Sequence, residues 1–218
     1  MKRNITPYLV IALVLIGNWW WSRPAAAHNP QVVNTETSIA VTNPEISKAY
    51  YGQLTGQPAH YRFTAAAEFA LYVNILVPDI ASETEDFTVV IRRDGVEIKT
   101  LEPAAVTWQR FNEPFGGDVY RQGPEYQATG QPGIYDLTVS SPDNQGKYIL
   151  AIGETESFPL TEFIRTMKEL VGVKHYFEKP GLAIFQSPFI YGPSIALLVV
   201  IGVIAGVIIR RRRQKAVT

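Results

Sequence analysis

The chain contains no cysteine in its 218 residues. Disulfides, thiol nucleophiles and cysteine-type zinc sites are therefore excluded, and any folded domain must rely on packing alone. Histidine is scarce too, with His28, His60 and His175 the only three. No G-x-S-x-G or H-E-x-x-H pattern occurs, so the common serine-hydrolase and zincin signatures are missing. No internal repeat or low-complexity segment is evident. Between Lys179 and Arg210 there is no charged residue.

That last absence organises the chain. Residues 195–209 consist only of Ile, Val, Leu, Ala and Gly. About 20 apolar residues suffice to cross a hydrocarbon core of ~30 Å as a helix. The run ends at Arg210, Arg211, Arg212, Arg213 and Lys215. Basic residues at a membrane edge stay on the cytoplasmic side, so everything before them is expected outside. A transmembrane helix over 187–209 and a basic cytoplasmic tail over 210–218 follow. No LPxTG-type sorting motif precedes the span, so it reads as a retained anchor. The opposite end carries a second address. Lys2 and Arg3 precede an apolar core over 8–17, and Ala25, Ala26 and Ala27 supply a cleavage site. A signal peptide over 1–27 is expected, leaving His28 as the mature N-terminus.

The formal net charge of zero hides an asymmetry. All 20 acidic residues fall outside the signal and the tail, against twelve basic ones, which leaves the exterior part eight negative charges in excess. Such a domain does not suit nucleic acid or anionic lipid as partners.

The exterior part is expected to be mainly β. Residues 28–45 read as an extended segment with one short edge strand over 38–42. From residue 46 to 154, aromatic and β-branched runs alternate with turn signals, the pattern of a sandwich. The run over 68–77 is the longest and most apolar, and Pro78 stops it, so it belongs in the centre. Asp94-Gly95 between two apolar runs predicts a hairpin. Two further runs, 133–140 and 147–152, flank a turn and are expected to pair as another. Residues 102–131 hold many Pro and Gly, and short strands are expected near 106–111 and 119–126. Residues 155–186 form an amphipathic juxtamembrane segment. Leu160, Phe163, Ile164, Met167, Leu170 and Val171 recur at helical spacing, with Gly172 as the expected stop. Tyr176, Phe177, Phe185, Phe189 and Tyr191 suit an interfacial aromatic belt.

Two phrases carry a resemblance. Gly52 and Leu54 lead into a strand with Tyr61 and Phe63. Later, Gly133, Tyr135, Leu137 and Val139 precede a closing run with Tyr148, Leu150 and Ile152. Residues 50–154 thereby resemble bacterial pre-peptidase C-terminal domains. The resemblance implies a jelly-roll-like antiparallel β-sandwich, secreted and non-catalytic, used for adhesion or targeting. The chain departs from that family in carrying its own anchor and no attached protease.

Candidate sites are few. Trp108, Phe111, Phe115 and Tyr120 either anchor the 102–131 segment or line a binding surface for a protein or glycan. His28, with a free amine after cleavage, is a candidate copper ligand, with His60 as its only partner in the sandwich. Glu83, Glu85 and Asp86 are candidate calcium ligands near Asp79. Gly202 and Gly206 form a G-x-x-x-G that permits helix packing and a homo-oligomer. The reading that follows is a single-pass envelope protein with a non-catalytic binding module and no required cofactor. The alternatives are a copper- or calcium-handling ectodomain and an exported hydrolase that uses carboxylates.

Overall fold

The computed structural model describes residues 28–113, 116–157 and 160–215. The expected signal peptide and Phe115 lie outside them. The chain divides into two compact units. The first, 26–184, is a β-sandwich with one helix. The second, where described, is the helix Pro188–Lys215.

Eleven strands run β1 (Asn29–Asn34), β2 (Ser38–Ala40), β3 (Lys48–Thr55), β4 (Ala59–Ala65), β5 (Phe69–Pro78), β6 (Thr88–Arg93), β7 (Val96–Leu101), β8 (Gln109–Asn112), β9 (Val119–Gly130), β10 (Gly133–Ser140) and β11 (Gln145–Ile152). One sheet has the order β1-β3-β11-β5-β9-β8, the other β2-β4-β10-β6-β7. The expected antiparallel sandwich is in fact built from two mixed sheets, because β1 pairs with β3 and β2 with β4 in parallel. Both N-terminal strands lie at sheet edges. Edge positions need no apolar alternation, which is why β1 reads as merely extended, while β2 falls within the short edge strand expected over 38–42. Pro30 is tolerated at such an edge.

The interior follows from two-residue periodicity. On β4, Ala59, Tyr61, Phe63 and Ala65 are buried while His60, Arg62 and Thr64 are exposed. Phe63 stacks on Tyr135 of β10 at 4.8 Å, and the Tyr61 and Tyr148 hydroxyls share a hydrogen bond of 2.8 Å between the sheets. Gly52 is required beside them, since a Cβ there would stand 2.5 Å from the Tyr148 ring.

The Asp94-Gly95 hairpin forms as expected, with both residues at positive φ. The second expected hairpin does not. β10 pairs with β4 and β6, whereas β11 pairs with β3 and β5 in the other sheet. The turn after Ser140 is therefore an arch between layers. Turn chemistry reverses the chain in either case, and each strand offers one apolar face, so sequence pattern does not separate the two.

Helix α1 (Leu160–Tyr176) packs on the outer face of the six-stranded sheet. That sheet is consequently buried on both sides: β11 is enclosed from Tyr148 to Ile152, and β5 from Val73 to Pro78. Gly172 does not stop the helix. It lies inside the helix beside Val32 of β1, which a Cβ would meet at 3.4 Å, an ordinary van der Waals distance. The end comes at Glu178, in the left-handed region at φ 58°. There the Glu178 and Lys179 amides donate back to the His175 and Lys174 carbonyls, a Schellman-type closure.

Helix α2 (Pro188–Lys215) spans 28 residues. Its described apolar side chains are largely exposed, among them Leu197, Leu198, Val199, Ile201 and Ile204. Among the described residues, no helix is long and apolar enough to cross a membrane.

Candidate functional site

Two places concentrate polar side chains in ways that packing alone does not require. The first lies where α1 meets the β8–β9 hairpin. Lys174 and Asp118 are both fully buried and pair at 2.6 Å. The Lys174 ammonium also donates to the Gly116 carbonyl at 2.6 Å, and Lys179 reaches the second oxygen of Asp118 at 2.7 Å. The hairpin tip is shaped to receive them: the Glu113 amide donates to the Asp118 carbonyl, and the Gly116 amide donates to the Glu113 carboxylate at 2.5 Å.

Around these charges the contact is aromatic. Tyr51, Tyr120, Tyr176 and Phe177 pack edge to face, with Phe177 and Tyr120 at 4.9 Å. The Tyr51 and Tyr120 hydroxyls bond at 2.6 Å, and the Tyr176 hydroxyl lies 2.7 Å from the Gly52 carbonyl and 2.5 Å from that of Tyr148. Desolvation raises all three phenols well above the usual range. Magnitudes show what holds the helix. Each buried large apolar side chain contributes about 1.5–3 kcal/mol. A buried ion pair roughly breaks even against its desolvation, but leaving one partner alone costs about 3–5 kcal/mol. Tyr176, Phe177 and Val173 therefore supply the attraction, and Lys174 with Asp118 fixes the register.

The second place is a groove of about 640 Å³ at the flank where both sheets end. Lys99, Thr100, Glu102, Gln109, Gln122 and Glu125 bring polar groups to its lining. Its floor is a β-bulge. Asn74 faces Glu125 and Leu76 faces Gln122, so β9 carries one extra residue at Gly123-Pro124. The bulge is held from below by Asn74, buried in the central strand, whose amide donates to the Gly123 and Pro124 carbonyls at 3.1 Å each. Pro124 has no amide hydrogen to lose from the ladder. The Trp108 ring lies over Gly123, where a Cβ would stand 2.5 Å away, and its indole donates to the Pro103 carbonyl at 3.0 Å.

The expected site residues are dispersed. Trp108 packs against the sandwich core, whereas Phe111 and buried Tyr120 belong to the cluster under α1. The described aromatics of the 102–131 segment anchor it and do not form one exposed patch. Tyr176 and Phe177 are likewise buried against the sheet and take no part in the expected interfacial belt. His28 precedes β1, its Nδ1 lies 2.5 Å from the Ser47 hydroxyl, and desolvation lowers its pKa to about 4. His60 sits on the exposed face of the five-stranded sheet, 3.2 Å from Thr138. In the acidic loop, Glu85 and Asp79 pair with Arg121, and Asp79 also with Arg110. Glu83 accepts the Lys147 amide and Asp86 the Thr84 hydroxyl. Among the described residues, no three His, Asp or Glu side chains are grouped to hold a metal ion. Gly202 and Gly206 have nothing within 4 Å of a built Cβ. Asn74 and Lys174 escape sequence reading. An Asn inside an otherwise apolar strand is the one signal for the first. Lys174 looks like an ordinary polar residue near a helix end.

No family model matches the chain, and no curated protein is similar to it. Solved structures do show likeness. One is the pre-peptidase C-terminal domain of a collagenase from Bacillus anthracis, with 17% identity, a TM-score of 0.33, and coverage of 54% of this chain and 94% of that one. Another is a β-glucosidase from Paenibacillus barengoltzii, at 9% identity and a TM-score of 0.26, covering 58% of this chain and 13% of that one. At these scores the likeness decides neither fold nor function, and the sandwich rests on its own strand order and register.

Two outcomes follow from the helix contact. Asp118→Asn, which strands the Lys174 ammonium, is expected to lower stability by about 3–5 kcal/mol. Lys179→Gln removes a partner a third exposed and is expected to cost under about 1 kcal/mol. Urea denaturation of the full chain in detergent compares them. The second outcome concerns alkaline pH. Unfolded tyrosines ionise near 10.0, but the buried ones keep their protons, so the unfolded chain binds fewer protons and stability falls as pH rises above 10.0. Replacing Tyr51 and Tyr120 together by Phe should change neutral stability by only about 1 kcal/mol. It should make the alkaline decline shallower in the same denaturation series.

Proposed function

We propose that the chain is a single-pass envelope protein whose extracytoplasmic β-sandwich is a non-catalytic binding module for a protein or glycan. The groove between β7 and β9 is the surface that meets the ligand. The observation that carries this reading is the Asn74-supported bulge. A sandwich that needs only to pack has no use for a buried amide in its central strand spending both hydrogen bonds on a distortion. Bulges re-aim side chains next to functional sites, and here the bulge sets Gln122 and Glu125 along the groove. Its volume falls within the range of ligand sites.

Anchoring is supported by the absence of charge over 180–209, by the basic residues that follow, and by the length of α2. At ~1.5 Å per residue, α2 measures about 42 Å, against a bilayer of roughly 40–45 Å including headgroups. The N-terminal address supports export. Because α1 is part of the sandwich, the module meets its anchor through the short segment 177–187.

The test is a binding screen of the full chain in detergent against peptide and oligosaccharide arrays, repeated with Gln122→Arg. The arginine enlarges a half-buried side chain beside the bulge and fills the groove. Binding should fall about tenfold or more at an unchanged denaturation midpoint. Binding that ignores this substitution would place the ligand elsewhere, and turnover of an arrayed compound would replace the module by a hydrolase.

A further inference from the structure

We propose that the end of α2 is a collar for anionic phospholipid headgroups, an inference that rests on the anchor reading above. Helix α2 does not stop where its apolar run stops. It continues through Arg210, Arg211, Arg212, Arg213 and Lys215. The last six residues rise by about 9 Å, enough to span one headgroup layer of roughly 5–7.5 Å beside a hydrocarbon core of ~30 Å. On the anchor reading, helix positions 210–213 and 215 thus fall at headgroup depth.

Azimuth decides the kind of partner. Successive helix positions turn by about 100°, so 210–213 spread over about 300°, and 215 falls between 211 and 212. No sector wider than about 100° lacks a basic position. A protein partner with an acidic surface would dock on one face, and the collar has no preferred face. Lipids surround a helix on all sides. The preceding part of α2 has the same all-round character: consecutive Leu197, Leu198 and Val199 are 60%, 67% and 51% exposed. An α-helix that is apolar all round belongs in a core or in a membrane.

Charge completes the argument. No acidic residue follows Glu178, so nothing within 179–218 neutralises the collar. The acidic excess of the chain lies entirely before it. Arginine presents a planar fork that matches phosphate oxygens two at a time, which lysine does not. Each basic residue near an anionic membrane surface strengthens association about fivefold.

The test uses the full chain reconstituted into vesicles of phosphatidylcholine mixed with phosphatidylglycerol. After mild detergent extraction, native mass spectrometry counts the lipids retained. Phosphatidylglycerol should be enriched over its share in the vesicle, and raising the salt should lower the enrichment. The variant with Arg210→Gln, Arg211→Gln, Arg212→Gln and Arg213→Gln should lose it, and the matching four Arg→Lys changes should restore part of it. Resistance to alkaline carbonate extraction is scored in parallel. A chain that resists carbonate but retains both lipids in the vesicle ratio refutes the collar and leaves the anchor standing. A chain stripped by carbonate refutes both. Enrichment that survives the four glutamines, or that is indifferent to salt, also overturns the collar.

Discussion

The contact between Lys174 and Asp118 is the constraint on which the rest of the architecture depends. A lysine with no exposed surface is tolerated only where its charge is matched and its donors are used. Asp118 and the Gly116 carbonyl meet that condition at a single position of α1. A shift of the helix by one turn would leave both charges buried and unpaired. Aromatic burial makes the helix stick to the sheet; the ion pair decides where. With α1 in place the six-stranded sheet is a central layer, and β3, β5 and β11 are largely buried on both faces.

That arrangement leaves the opposite flank open. β7 ends one sheet, and β8, only four residues long, ends the other. The twelve-residue β9 outruns β8, and the bulge at Gly123-Pro124 occurs where their pairing ends. The groove is thus a consequence of unequal strand lengths, made permanent by Asn74 below and by Trp108 across Gly123. Polar groups line this flank, while on the helix side Lys174 and Asp118 are paired and buried.

Much of the fold could be read from the chain. Alternation located β4, β5, β6 and β10, and Asp94-Gly95 identified a hairpin, because one buried face imposes a period of two and a tight turn demands positive φ. The limits are equally physical. β1 went unread because an edge strand needs little apolar surface, whereas β2 falls within the short edge strand expected over 38–42. The arch after Ser140 was mistaken for a hairpin because local turn chemistry does not say which layer the chain enters. Gly172 looked like a helix stop, yet the helix runs through it to Tyr176 and closes at Glu178. The candidate site was legible only as composition. Trp108, Phe111 and Tyr120 attracted notice as aromatics, but they divide between two layers, and the groove is lined by unremarked Gln and Thr residues. Lys174 could not be singled out, since burial of a charge depends on a partner 56 residues away.

The account turns on α1 being part of the sandwich and not a separate membrane-surface helix. Hydrogen exchange of the full chain in lipid nanodiscs addresses this directly. Amides of α1 from Leu170 to Tyr176 should be protected as strongly as those of β3 and β11, and should open with them as one cooperative unit under mild denaturant. Fast exchange of α1 beside a fully protected sheet would contradict the account.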